Sequence, residues 1–311
     1  MKPWPLLALL VVSAPVHAGA QAPLPRGVEA ISLLGDTLRA PELSPAARAR
    51  LTAQLDSAER AWDRDPESAD AMIWVGRRTA YLGRYRDAIG IFSLGIAQHP
   101  EDARLYRHRG HRYITVRRLD RAIEDLSYAA TLTRGEKDQV EPDGQPNARN
   151  IPVSTLQSNI WYHLALAYYL KGDFRNAAAA WRRDVEVSTN ADMQVASRYW
   201  LYMTLRRMGQ PKAAAEVLRP ITRRMEIIEN GSYHRLLLLF KGSIPADSLF
   251  AGGDADPALQ DATVRYGLGN WHWINGRRDE ALKIWRDVVK TGPWASFGYI
   301  AAEAELRRKG R

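Results

Sequence analysis

The chain has 311 residues, 46% hydrophobic and 25% charged, with a formal net charge of +9, the composition of an ordinary globular protein. It contains no cysteine, which excludes disulfides, thiolate zinc sites, thiol catalysis and lipid attachment through a cysteine. The positive balance suits acidic ligands, anionic surfaces or nucleic acid, and compartment has to choose among them.

Compartment is legible at the start. Lys2 precedes an apolar run from Leu6 to Val12, followed by small residues at Ala18, Ala20 and Ala22. This predicts a secretory signal peptide over residues 1–20, cleaved after Ala18 or Ala20. The run is far short of the roughly 20 residues a spanning helix needs. The expected product is exported, periplasmic or secreted, with no membrane span and no lipid anchor, and nucleic acid is not an expected partner. Residues 21–43 read as an extended segment. Ser44-Pro45 then starts a leading helix and Asp65-Pro66 stops it, within residues 44–68.

Five later segments repeat one pattern: "YRDAIGIF", "LDRAIEDL", "FRNAAAAW", "PKAAAEVL" and "RDEALKIW". Each carries alanine in fourth place, at Ala88, Ala122, Ala177, Ala214 and Ala281, with a large apolar residue four positions on. The first spacing, from 88 to 122, sets a period of 34. The interval from 122 to 177 holds one period plus an insertion, and that from 214 to 281 hides a worn repeat around "SYHRLLLLFKGSIPADSLF". Gly76, Gly110, Ala165 and Gly269 let paired helices approach, and Gly83, Gly172, Gly209 and Gly276 fit the turns between them.

With these residues the chain resembles the tetratricopeptide repeat family, from about Ala69 to Arg308. The resemblance implies an all-α solenoid of helical hairpins, a right-handed superhelix with one concave groove. Repeats are expected at residues 69–134 and 158–228, a degenerate repeat at 229–261, and a last repeat with a capping helix at 262–311. The 135–157 insertion, rich in proline, glycine and polar residues, is expected as a loop. From Tyr233 onward the order of elements is similar to NlpI-type periplasmic adaptors, a family of lipid-anchored proteins; this chain lacks the anchoring cysteine.

The register implied by the resemblance turns "LYRHRGHRYI" into a repeat helix whose groove face carries Arg104, Arg107, His108 and His111, with Arg109 and Arg112 pointing elsewhere. The same slot recurs as Tyr162, Tyr199, Tyr233 and Tyr266, with His163 beside the first. These nine residues are the expected ligand-binding face: an arginine end that matches carboxylates, then a ladder of tyrosines suited to an extended polymer. His108, His111 and His163 could share a metal ion, but HExxH is absent and the guanidiniums nearby would repel a cation, so no metal is expected. Protonation of His108 and His111 is expected to add affinity below pH 6.5 or so. No catalytic motif emerges, and no enzyme activity or cofactor is expected. The expected function is an exported adaptor holding a protein or peptide partner, with an anionic terminus at the arginine end, in cell-envelope maintenance. The alternative is a binder of carbohydrate or cell-wall glycan; an enzyme on an anionic substrate ranks below both. A homodimer is compatible with either.

Overall fold

The computed structural model describes residues 24–250 and 257–309; the expected signal peptide lies outside the described residues. A short antiparallel hairpin, β1 (Val28–Ile31) and β2 (Thr37–Arg39), comes first. Residues 28–39 are thus more ordered than an extended segment, because Val28, Ala30 and Leu38 are buried on one side.

Thirteen helices follow among the described residues. α1 (Pro45–Arg64) leads, and its N-terminus is closed by Ser44, whose side chain accepts from the Ala47 amide. The hairpins are α2 (Ala69–Tyr81) with α3 (Tyr85–Gln98), α4 (Ala103–Thr115) with α5 (Leu119–Leu132), α6 (Leu156–Lys171) with α7 (Phe174–Val187), and α8 (Ala191–Arg207) with α9 (Pro211–Leu218). The worn repeat keeps α10 (Gly231–Phe240) and reduces its second helix to a 3-10 turn at Ala246–Phe250. α11 (Pro257–Ile274) and α12 (Arg278–Thr291) form the last hairpin, and α13 (Phe297–Lys309) closes the chain. The fold is a helical-repeat solenoid.

Three of the hairpins, α2–α3, α4–α5 and α11–α12, are closed by the same device. A Cβ on Gly76 would lie 2.4 Å from the Phe92 ring, one on Gly110 2.6 Å from Leu126, and one on Gly269 2.3 Å from the Trp285 indole. A side chain at any of these positions would push the paired helices apart. The turn between them takes a left-handed residue, glycine in four hairpins, such as Gly172 with φ +86°. The α4–α5 turn departs from this: Arg117 holds the slot with φ +62°, a conformation that L side chains adopt at a cost of about 1–2 kcal/mol.

The first helices of the hairpins form the inner face, and the arc of repeats turns far enough to meet itself. α13 packs on α11 and α12 and also on α6. The Trp294 indole just before it donates to the Arg39 carbonyl at 2.7 Å. Arg117 reaches Glu303 on α13 through Nε and Nη2, each at 3.0 Å, with both side chains almost fully buried. The strained turn therefore places a buried cation that ties the second repeat to the C-terminal helix.

Candidate functional site

The arginine-rich helix α4 begins at Asp102, which caps it by accepting from the Arg104 amide at 2.9 Å. Helical period then separates its charges. Arg109 points to α5 and pairs with Asp125 through two bonds of 2.7 Å. Arg104 sits on the other side, held by Asp102 and Asp70, and its bond to Asp102 raises its pKa. Arg107 is 8% exposed. Its Nη1 donates to Nδ1 of His108 at 2.8 Å, so the proton of that neutral imidazole is on Nε2. Burial, then Arg107, holds His108 well below its ordinary pKa.

Glu141 of the insertion balances this basic cluster. Its Oε1 lies 3.0 Å from Nη2 of Arg107 and 3.5 Å from Nε2 of His108. Its Oε2 accepts from Asn159 of α6 at 3.0 Å. The segment around it is extended, with a backbone bridge between Val140 and Thr155. Two arginines of α2 read the chain that follows: Arg77 donates to the Pro142 carbonyl at 2.8 Å and Arg78 to the Gly144 carbonyl at 2.7 Å. Gly144 lies so close that a Cβ there would fall 1.7 Å from the Tyr81 hydroxyl. Further on, Asn147 donates to Glu229 at 2.6 Å and Arg149 pairs with Glu226 at 2.7 Å. The insertion thus crosses the inner face from α2 to the segment before α10. A cavity of about 240 Å³ remains beside Glu141, bounded by Asp70, Trp74, Arg77, Arg104 and His108.

The expected tyrosine ladder needs correcting. Tyr199 and Tyr266 are 0% exposed and belong to the core. Tyr266 bonds Tyr169 at 2.9 Å, while the Tyr199 hydroxyl lies against Gly267 of α11. Tyr162 and Tyr233 are half-buried and bond each other at 3.0 Å, and Trp200 donates to Tyr162 at 2.8 Å. The reason is curvature: α10, α11 and α13 fold over the surface these rings would otherwise line. His163 is buried as well, its Nδ1 donating to the Asn159 carbonyl at 2.5 Å. Its ring lies tilted against that of His111 at 4.3 Å between centroids, and Phe297 from the start of α13 packs on both. Burial is the main cause that pushes both histidines well below their ordinary pKa, assisted by Arg112 at His111 and Arg107 at His163. Neutral rings add no positive charge, which removes the expected gain of affinity near pH 6.5. Arg112, expected to point away, stands over the Tyr85 ring and is pushed down to about 10 by burial.

Of the nine expected residues, the structure brings Arg104, Arg107 and His108 to one polar site, buries His163, Tyr199 and Tyr266, and leaves His111, Tyr162 and Tyr233 half-buried. Sequence reading missed Arg77, Arg78, Glu141 and Gly144, whose roles depend on where the insertion folds back. It also missed Glu303 and Glu305, whose carboxylates are buried on α13. Two acids in a closing helix were the available signal, since buried carboxylates need cationic partners.

No protein-family model and no curated protein sequence matches the chain. Solved structures do. A tetratricopeptide repeat protein from Parabacteroides merdae is 12% identical with a TM-score of 0.47, covering 85% of this chain and 94% of that one. YrrB, described as a tetratricopeptide protein with an unusual peptide-binding site, is 14% identical with a TM-score of 0.43, covering 83% and 100%. MamA is 14% identical with a TM-score of 0.42, covering 57% and 92%.

Proposed function

We propose that the protein is an exported helical-repeat scaffold that binds an extended protein or peptide segment on the inner face of α2 and α4. The observation that carries this reading is the way the inner face holds residues 141–144. A carboxylate is paired by Arg107 and two backbone carbonyls are read by Arg77 and Arg78, the contacts an extended polypeptide offers to any binder. Export is supported by the N-terminal pattern of Lys2, the apolar run and the small residues after it. A role in envelope maintenance is supported by the likeness of the C-terminal half to periplasmic adaptors. The glycan reading loses its main support with the burial of Tyr199 and Tyr266.

The test is chemical cross-linking of the exported chain in envelope extract beside an Arg77→Ala/Arg107→Ala variant. The reading expects captured protein with the wild type and its loss in the variant, with unchanged circular dichroism. Equal capture by both would remove the inner face from the account. Intact mass should begin near Gly19 or Gln21; a retained Met1 contradicts export by cleavage.

A further inference from the structure

The insertion is held by its ends and by polar contacts, and little of it is packed. Val140 is 64% and Ile151 48% exposed, while Pro142, Gln145 and Pro146 are also exposed. A solvent-open pocket of about 240 Å³ lies beside Glu141, so the resident segment leaves part of its site uncovered. One oxygen of Asp143 is buried with no hydrogen-bond partner, a mismatch that costs stability. The site itself is demanding. Arg107 would be a buried guanidinium without Glu141, Arg77 and Arg78 are aimed at carbonyls two residues apart in the chain, and Tyr81 stands where a side chain at position 144 would go.

On the reading of the chain as a peptide-binding scaffold, we propose that this site selects an extended acidic segment with glycine three residues after the acid, and that Glu141–Gly144 is a resident copy which such a partner displaces. The chemistry sets each element of the specificity. The acid is required because Arg107 and His108 converge on one carboxylate oxygen. The polypeptide is required because the arginines of α2 recognise main-chain carbonyls, which a free phosphate or a sugar does not carry in that spacing. Glycine is required because of Tyr81. The tethered copy competes at an effective concentration in the millimolar range, so the free site is a minority state and apparent affinity falls by its fraction.

The probe is a fluorescent peptide with the chain's own residues 138–147, DQVEPDGQPN, read by anisotropy against the full chain. Glu141→Gln weakens the resident copy, and that variant should bind the peptide at least tenfold more tightly than the wild type. Gly144→Ala, which crowds Tyr81 while keeping the Arg107 pair, should shift affinity in the same direction. Peptides carrying Gln for the glutamate or Ala for the glycine should bind the Glu141→Gln variant about tenfold more weakly, and adding Arg107→Ala should abolish binding while circular dichroism stays helical. If both loop variants are folded yet bind no better than the wild type, or if the acidic and Gln peptides bind alike, the proposal fails. Unfolding of both variants also overturns it, because the insertion would then be a fixed part of the scaffold. Envelope protein captured through Arg107 but indifferent to added peptide would sink this inference and leave the scaffold reading standing.

Discussion

The inner face of α2 and α4 and the inner face from α6 to α13 are built on the same repeat pattern and are filled in opposite ways. In the first region the filling is an extended loop held by ion pairs and carbonyl contacts, with a cavity beside it. In the second it is a helix that buries Tyr299, Ile300, Ala301, Ala302 and Ala304 against the aromatic core. Charge is handled differently too. Glu305 on α13 lies within 2.8 Å of both Arg207 and Arg308, and Glu303 lies 3.0 Å from Arg117, each carboxylate being supplied by a packed helix. Glu141 is supplied by a segment with few apolar contacts. Apolar burial makes one occupant permanent, and its lack leaves the other exchangeable.

Variants can break this contrast at several points. The largest effect is expected at Arg117→Gly, which keeps the left-handed turn but leaves Glu303 unpaired in the core. Losing one partner of a buried pair costs about 3–5 kcal/mol, reduced by roughly 1–2 kcal/mol of relieved strain. Urea unfolding measures it; stability within half a kilocalorie of wild type would mean that α13 is not locked by this pair. Next comes Gly110→Val, which drives a branched side chain into Leu126 and should cost about 1–3 kcal/mol by overpacking. Arg109→Ala should fall in a similar range, because it strips two hydrogen bonds from the buried Asp125, and charged bonds are worth about 1.5–3 kcal/mol.

Acid sharpens the comparison in a direction the pKa shifts fix. His108, His111 and His163 are held well below their ordinary value by burial and nearby guanidiniums. The unfolded chain takes up these protons near pH 6.5, so their contribution to stability is complete above that pH and shrinks as the pH falls toward the depressed folded values. Asp184, pushed up to about 7 by burial, acts oppositely: its contribution is present at low pH and lost as pH rises through about 7. Glu29, Asp125, Asp143 and Glu229 are also pushed up by burial, but their smaller shifts act nearer the ordinary carboxylate range. The three histidines therefore dominate, and urea midpoints should drop between pH 7 and pH 5. A His111→Gln/His163→Gln variant should show a flatter profile; an unchanged slope would contradict burial of the pair. The smallest effect belongs to Arg104→Ala. Its partners Asp102 and Asp70 remain partly in water, and exposed pairs are worth about 0–1 kcal/mol.

Much of the architecture could be read from spacing alone. The alanines at 88, 122, 177, 214 and 281 sit in second helices of hairpins, and the leading helix starts at Pro45, where Ser44-Pro45 signals it. Local rules govern these features, since a small residue facing a large one is visible in a single repeat. The inner face was legible only in part. Arg104, Arg107 and His108 share a helix face and could be grouped by period. Whether Tyr199 or Tyr266 meets solvent depends on the curvature accumulated over several repeats, which no single repeat encodes. The same holds for Glu141, which meets Arg107 only because the insertion folds back, and for Arg117, whose glycine-type slot was open to inspection but whose partner lies 186 residues away.

Hydrogen exchange of the wild-type chain, followed by mass spectrometry along denaturant, tests the contrast most directly. The Glu141 amide donates to Ser154 and the Leu156 amide to Gln139, so the insertion carries its own protected protons. The account predicts that residues 139–144 open in a local step far below the global unfolding energy, while α13 exchanges only when the whole chain unfolds. Opening of both segments in one cooperative step would make the insertion as permanent as the helix and contradict the claim.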